Sequence, residues 1–284
     1  MPPLPLLIIA GLTLREAARR RLLLAVAILT ALIVGATGWG FSRIPTFTRG
    51  AQPISHVEVL ATTAEFVLLI ALMFSFVLAV GAAFLAAPAV AADVESGLVL
   101  ALLPRPIRRA DVVVGKWLGL AALLAGYTAL ISLLELSVVR VVTGYWPPHP
   151  AVAVLFLIGQ ALVLLTLGLL VSTRLSSITG GIIALVLFGV AWIVGIITQV
   201  GATFHNTSIT TMGTVVSLAL PTDGLWHGVQ YNLQPAAITA LANTRGEGGI
   251  VSGTQPTAPY VVWAVGWVVV MLLLAVRSFN RRDL

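Results

Sequence analysis

The chain has 284 residues, of which 59% are hydrophobic and only 9% charged, with a formal net charge of +6. This composition excludes an ordinary soluble globular domain and implies a membrane protein, so the positive balance is a matter of topology and requires no nucleic acid. There is no cysteine, which excludes disulfides, thiolate metal sites and cysteine nucleophiles.

In chain order, residues 4–21 gather aliphatic side chains and then "REAARRR". They predict an amphipathic helix lying along the inner membrane surface. The uncharged run that follows is longer than a signal-peptide core, and "PLPLLIIAGLTL" stands where a short basic region would precede one; it reads as an uncleaved anchor. Roughly 20 apolar residues cross a hydrocarbon core, and six stretches qualify, at about 22–42, 65–92, 112–142, 151–173, 178–200 and 260–276. Each must be helical, because lipid offers backbone polar groups no other partner. The predicted fold is therefore all-α, a single polytopic domain of six transmembrane helices.

Orientation follows from lysine and arginine beside the spans. With the N-terminus inside, 12 of the 16 basic residues fall on the cytoplasmic side, and only Arg43, Arg49, Arg140 and Arg245 lie outside. Both termini are then cytoplasmic. Trp39, Tyr145, Trp146, Tyr260 and Trp263 sit near the outer span ends, as an interfacial belt requires.

Residues 93–111 form the one sizeable cytoplasmic loop. From Glu95 to Lys116 there are six of the chain's 26 charges (16 basic plus 10 acidic). Asp93 or Ser96 can cap a short helix through Leu103 that Pro104 stops, and Pro106 can open the next helix, which carries Arg108, Arg109 and Asp111 into the third span. The expectation is a short, stiff elbow. Residues 201–259 read as an extracytoplasmic segment. Within it, Met212–Leu220 and Pro235–Leu241 are too short to span but suit re-entrant or interfacial helices, and "TRGEGGIVSGTQP" reads as a flexible loop.

Three ionisable residues fall inside spans, Glu65, Glu135 and Arg140, all in the outer half. They serve either as a helix-locking ion pair and snorkelling side chains or as a contact for substrate or proton. The four histidines, His56, His149, His205 and His227, fall in outer segments at spacings that match no metal-ligand pattern. The one "GK", Gly115–Lys116, is followed by tryptophan and is not a P-loop, and neither G-x-S-x-G nor H-E-x-x-H occurs. Nothing in the chain itself reads as an enzyme, a metal centre or a cofactor site.

The order Glu95, Gly97, a leucine-rich turn, Pro104, Pro106, Arg108 or Arg109, then Gly115–Lys116 resembles the signature loop of ABC-2 type permeases, the membrane subunits of ATP-binding cassette transporters. The six-span branch similar to nitrous-oxide-reductase-maturation permeases is nearest. "PTDGLWHGVQYNLQP", 221–235, is similar to a common family pattern. Ser96 and Leu98 depart from the signature loop, since a threonine often follows its glycine. The resemblance implies a coupling helix at 93–111, with Glu95, Gly97, Pro104, Arg105, Pro106, Arg108, Arg109 and Lys116 facing an ATPase. It further implies two ATPase subunits holding ATP and Mg, a second permease chain in a homo- or heterodimer, and export across a prokaryotic cytoplasmic (inner) membrane. The rival reading is a secondary transporter or membrane scaffold without an ATPase. That rival needs a charge at mid-bilayer or a broken helix, and the six spans as counted supply neither.

Overall fold

The computed structural model describes residues 5–19, 21–46, 48–49, 52–53, 55–95, 108–235 and 255–281. They form nine helices among the described residues: α1 (Pro5–Arg19), α2 (Arg21–Arg43), α3 (His56–Glu95), α4 (Arg109–Thr143), α5 (Pro150–Ser172), α6 (Ser177–Thr203), α7 (Thr207–Ala219), α8 (Thr222–Leu233) and α9 (Ala258–Asn280). A 3-10 turn, Ile44–Thr46, leads to a two-residue antiparallel pair, β1 (Thr48–Arg49) with β2 (Gln52–Pro53), in which Thr48 faces Pro53. Helices α3, α4, α5, α6 and α9 are long and apolar enough to cross a membrane. The 23-residue α2 occupies the stretch expected for the first span.

Helix α3 starts nine residues before the expected boundary at residue 65. A reciprocal capping box explains the early start. The Ser55 backbone N–H and hydroxyl donate to Glu58 Oε2 at 2.8 and 3.0 Å, and the Glu58 N–H donates back to Ser55 Oγ at 3.3 Å. At 40 residues the helix is about 60 Å long, well beyond a hydrocarbon core of about 30 Å.

The centre of the bundle is α5, whose sequence lacks any charge. It packs against α3, α4, α6, α8 and α9, and Ala161, Val163, Leu164, Leu165 and Leu169 have at most 1% of their surface exposed. Close approach here depends on small residues. Ala79, Ala82, Ala83 and Ala86 of α3 are fully buried, and a Cβ on Gly168 would lie 2.8 Å from that of Ala86. Without a hydrophobic driving force between helices in lipid, such contact supplies the dispersion energy that holds them.

One end of the bundle holds Glu95, Arg109, Arg174 and Arg277, and we call it the basic end. The other, with Trp39, Tyr145, Trp146, Tyr260 and Trp263, is the aromatic end. A buried cluster including Phe41, Leu157, Trp226 and Trp267 fills the aromatic half, and one including Ala82, Val113, Leu165 and Phe279 fills the basic half.

Candidate functional site

At the basic end the chain leaves α3 at Glu95 and returns at Arg108, whose extended backbone (φ −71°, ψ 138°) precedes α4. Gly97, Pro104, Arg105 and Pro106, and the expected short helix to Leu103, lie outside the described residues. Arg108 is exposed. The feet of this loop are bound to one another and to their neighbours. Lys116 Nζ in α4 donates to Ala89 O, six residues before the end of α3, and so ties the two helices together. Arg109 reaches Asn280 O, the last residue of α9, at 3.5 Å. Arg174 Nε and Thr173 Oγ1 both donate to Ser278 Oγ at 2.8 Å. Trp117 Nε1 donates to Thr166 Oγ1 at 2.8 Å and joins α4 to α5.

Helix α1 packs on the same foot. A Cβ on Gly115 would stand 2.9 Å from Ile9 Cβ, and one on Gly119 would stand 2.7 Å from Ala10 O. The two glycines, four apart, therefore form the flat surface on which Leu6, Ile9, Ala10 and Thr13 rest. Leu7, Ile8 and Leu12 point away and are about half exposed. The G-x-x-x-G spacing is visible in the sequence; the expectation placed only Lys116 in a functional role there.

The aromatic end holds a pair of short helices, α7 and α8. His205, in the left-handed region at φ 54°, turns the chain after α6, and Asn206 Oδ1 caps α7 by accepting from Ser208 and Ile209 N–H at 3.1 and 3.2 Å. Helix α7 then runs back down α6, with Ile209 against Gly201 and Thr198 against Gly213. After Pro221 the chain reverses into α8, which rises to Leu233. The Tyr145 hydroxyl donates to Leu233 O, and the His149 N–H donates to Asn232 O at 3.3 Å. Burial pushes the Tyr145 phenol well above its ordinary range, so it remains a donor at any physiological pH.

Helix α7 ends inside the bundle, where its last carbonyls have no intrahelical partner. Three aromatic side chains of α9, spaced i, i+3, i+7, supply the donors: Tyr260 to Ser217 O at 3.2 Å, Trp263 to Leu218 O at 3.0 Å and Trp267 to Ala219 O at 2.8 Å. Tyr260 and Trp263, expected in an interfacial belt, thus hold the end of α7 in place.

The turn between α7 and α8 reaches half-height. Thr222, Asp223 and Trp226 line a small cleft with Ser75 of α3, Gln160 of α5 and Trp192 of α6. Gln160 lies ten residues after Pro150 and twelve before Ser172. Ser75 Oγ donates to Gln160 Oε1 at 2.9 Å, both side chains being buried. His227 Nε2 lies 3.5 Å from Asp223 Oδ2. A Cβ on Gly195 would lie within contact distance of the Asp223 carboxylate, so only glycine leaves that carboxylate its place. This corrects the expectation that no charge sits at mid-height. The charge comes from a segment too short to span and too polar to read as membrane-embedded, and His227 is not the ordinary outer-loop histidine expected.

The three intramembrane candidates are not brought together. Glu65 is exposed, Glu135 Oε1 is buried without a hydrogen-bond partner, and the Arg140 guanidinium lies 5.0 Å from the Trp146 ring centroid. Among the described residues no group of three histidine or carboxylate side chains could hold a metal ion. Residues 7–284 match the family model described as ABC-2 family transporter protein. No curated protein matches the chain.

Proposed function

The chain belongs to the ABC-2 transporter family, whose members are non-catalytic membrane components that pair with ABC ATPases, and on that premise we propose that it is the six-span permease subunit of an exporter. Two ATPase subunits carrying ATP and Mg drive it, and a second permease chain, identical or not, completes the pathway. Helix α2 counts as the first span, α1 lies on the inner surface, and the basic end faces the cytoplasm of a prokaryotic cell with both termini. The whole chain acts as one transmembrane domain, with residues 93–111 as the coupling helix and 201–259 on the outer side, α7 and α8 re-entering from it.

The observation that carries this reading is the bracing of the loop's feet. Lys116 ties α4 to α3, Arg109 ties α4 to α9, and the Gly115–Gly119 face ties α4 to α1. A displacement of the loop by an ATPase is then shared by four packed helices rather than absorbed locally, as switching between two packed arrangements requires. Glu95, Arg105, Arg108 and Arg109 supply the polar contacts to the ATPase, and Gly97, Pro104 and Pro106 shape the elbow. The test is reconstitution with the partner ATPase. Replacing Pro104 and Pro106 by glycine is expected to leave the ATPase bound and to abolish transport-linked hydrolysis, whereas Glu95→Ala with Arg108→Ala weakens binding itself. Normal transport by both variants defeats the coupling role. The half-height carboxylate is the one feature that favours the rival reading, a secondary transporter, and transport that persists without any ATPase decides for it.

A further inference from the structure

Two exposed apolar stripes end in arginine at the same level of the basic end. On α9, Val270, Leu273, Leu274 and Arg277 are spaced i, i+3, i+4 and i+7 and share one face. All four are exposed, Leu273 to 61%, so this face meets lipid until Arg277 ends it. Arg281 follows one turn later, its N–H bonded to Arg277 O at 3.3 Å, and is exposed as well. On the neighbouring element, the turn after α5 brings out Arg174 and Leu175, and α6 continues with Ile178 and Ile182, 73% and 51% exposed. The two stripes meet at Ser278 Oγ, which accepts from Arg174 Nε at 2.8 Å. That bond fixes the Arg174 guanidinium and leaves its two terminal nitrogens without a partner among the described residues. Depth follows from helix length. Arg277 lies nineteen residues after Ala258, the first of α9, or about 28 Å along the axis, close to the thickness of a hydrocarbon core. Arg174 stands two residues after the 23-residue α5. Both arginines are therefore at headgroup level on a lipid-facing side. Helices α5, α6 and α9 contain no acidic residue, and Arg174, Arg277 and Arg281 form no ion pair with a described residue. Asp93, Glu95 and Asp111 of this end belong to α3 and α4.

We propose that the α5–α6 turn and the end of α9 bind the phosphate of an anionic phospholipid, held between Arg174 and Arg277. Arg174 offers the planar fork that phosphate geometry matches, Arg277 a second positive charge, and Arg281 a third one turn beyond. Leu175, Ile178, Leu273 and Leu274 stand on the side of the acyl chains, so the site and the lipid present charge and apolar surface in the same order. Basic groups at the ends of membrane helices recognise anionic headgroups in this way. A zwitterionic headgroup brings its own cation into a cluster that already holds three, which is why an anionic one is specified. A second copy packed here about a two-fold axis brings the same arginines towards one another with no carboxylate between them. The ATPase is assigned to the loop 93–111 and its foot at Arg108, whereas Arg174 and Arg277 close apolar stripes at the membrane boundary. The inference stands apart from the coupling role, because it concerns the full chain without an ATPase.

The purified full chain in a neutral detergent is titrated with dioleoyl phosphatidylglycerol or dioleoyl phosphatidylcholine in mixed micelles. Bound lipid is counted by native mass spectrometry, and the thermal midpoint is read against mole fraction. The wild type is expected to retain phosphatidylglycerol saturably at mole fractions where phosphatidylcholine is not retained. Arg174→Gln with Arg277→Gln is expected to lower the apparent affinity about tenfold or more. Arg15→Gln with Arg19→Gln removes the same charge from α1 and is expected to bind as wild type. Should the first pair of substitutions prevent folding, Arg174→Gln and Arg277→Gln taken singly are each expected to show part of the loss, and wild-type affinity in both overturns the proposal. Equal retention of the two lipids also overturns it. So does an equal loss in the α1 variant, which makes the attraction diffuse, or displacement of phosphatidylglycerol by inorganic phosphate alone, which makes the site one for a free anion.

Discussion

The two ends of the bundle face the same physical demand and meet it with opposite chemistry. Helices that stop inside or against the bundle leave carbonyls unpaired. At the basic end a cation serves, Arg109 on Asn280 O, the last residue of α9, and Lys116 adds a second on Ala89 O, six residues before the end of α3. At the aromatic end the carbonyls take neutral hydroxyl and indole donors, Tyr260, Trp263 and Trp267 on the last three residues 217–219, and Tyr145 on Leu233 O. Small-residue packing serves both halves, through Ala82, Ala86, Gly115, Gly119 and Gly168 towards the basic end and Gly201, Gly213 and Gly228 towards the aromatic one. The ends therefore differ in the donors that brace them, cations at one and neutral hydroxyl and indole groups at the other.

The largest effect is expected from breaking the brace. Gly119→Leu puts a branched side chain where even a Cβ meets Ala10 O at 2.7 Å, and the neighbour there is backbone, which cannot turn aside. Overpacking of this kind costs about 1–3 kcal/mol, and α1 is expected to lift off α4. Gly126→Leu, with nothing within 4 Å, is the control and is expected to be tolerated. Denaturant titration of the two variants, with protease sensitivity of the α1 segment, gives the comparison. Equal behaviour removes the brace.

Next in size are the neutral donors. Trp267→Phe leaves Ala219 O without the donor that a side chain only 4% exposed supplies, at about 1–2 kcal/mol. Trp263→Phe should cost less, because Trp263 is 46% exposed and water or headgroups can replace it. Unfolding titrations that give the reverse order contradict the assignment of these residues as caps.

The long helices were legible because apolar length is a strong signal: five expected spans coincide with α3, α4, α5, α6 and α9. The start of α3 was missed although Ser55–Glu58 has the capping-box spacing, since the stretch around it is polar. The half-height cleft was missed for a different reason. Helices of 12 and 13 residues cannot span, so the pattern of Asp223, His227 and Gln230 on one face of α8 reads equally well as an outer amphipathic helix. Only the packing of Gly195 against Asp223 and of Ser75 against Gln160 fixes its depth. The stripe Tyr260, Trp263, Trp267 is ambiguous in the same way, because an interfacial belt and a set of inward caps use the same residues.

Lys116 allows a smaller test of the basic end. Lys116→Met removes both the charge and its hydrogen bond to Ala89 O, and about 1 kcal/mol of stability is expected to go with them. Lys116→Arg keeps the charge and is expected to recover part of the loss. If the methionine variant keeps full stability yet loses ATPase binding, Lys116 faces the partner and not α3.

The smallest effect is expected for the arginines on the wrong side of the charge bias. Arg43 and Arg140 belong to the four basic residues outside the cytoplasmic count, and each lies over an indole, Trp39 at 5.2 Å and Trp146 at 5.0 Å. Such a contact at an exposed site contributes about 0.5–1 kcal/mol. It lets a guanidinium rest at the interface without a carboxylate partner, which Arg140 shows by sitting over Trp146 and not beside Glu135. Arg140→Gln is expected to lower stability by this amount, and Trp146→Leu in the Arg140→Gln background is expected to add little beyond the lost ring burial. A double-mutant cycle separates the two contributions. A coupling near zero places Arg140 among the headgroups, whereas a coupling of several kcal/mol means a buried ion pair and makes the aromatic end more like the basic one than its contacts indicate.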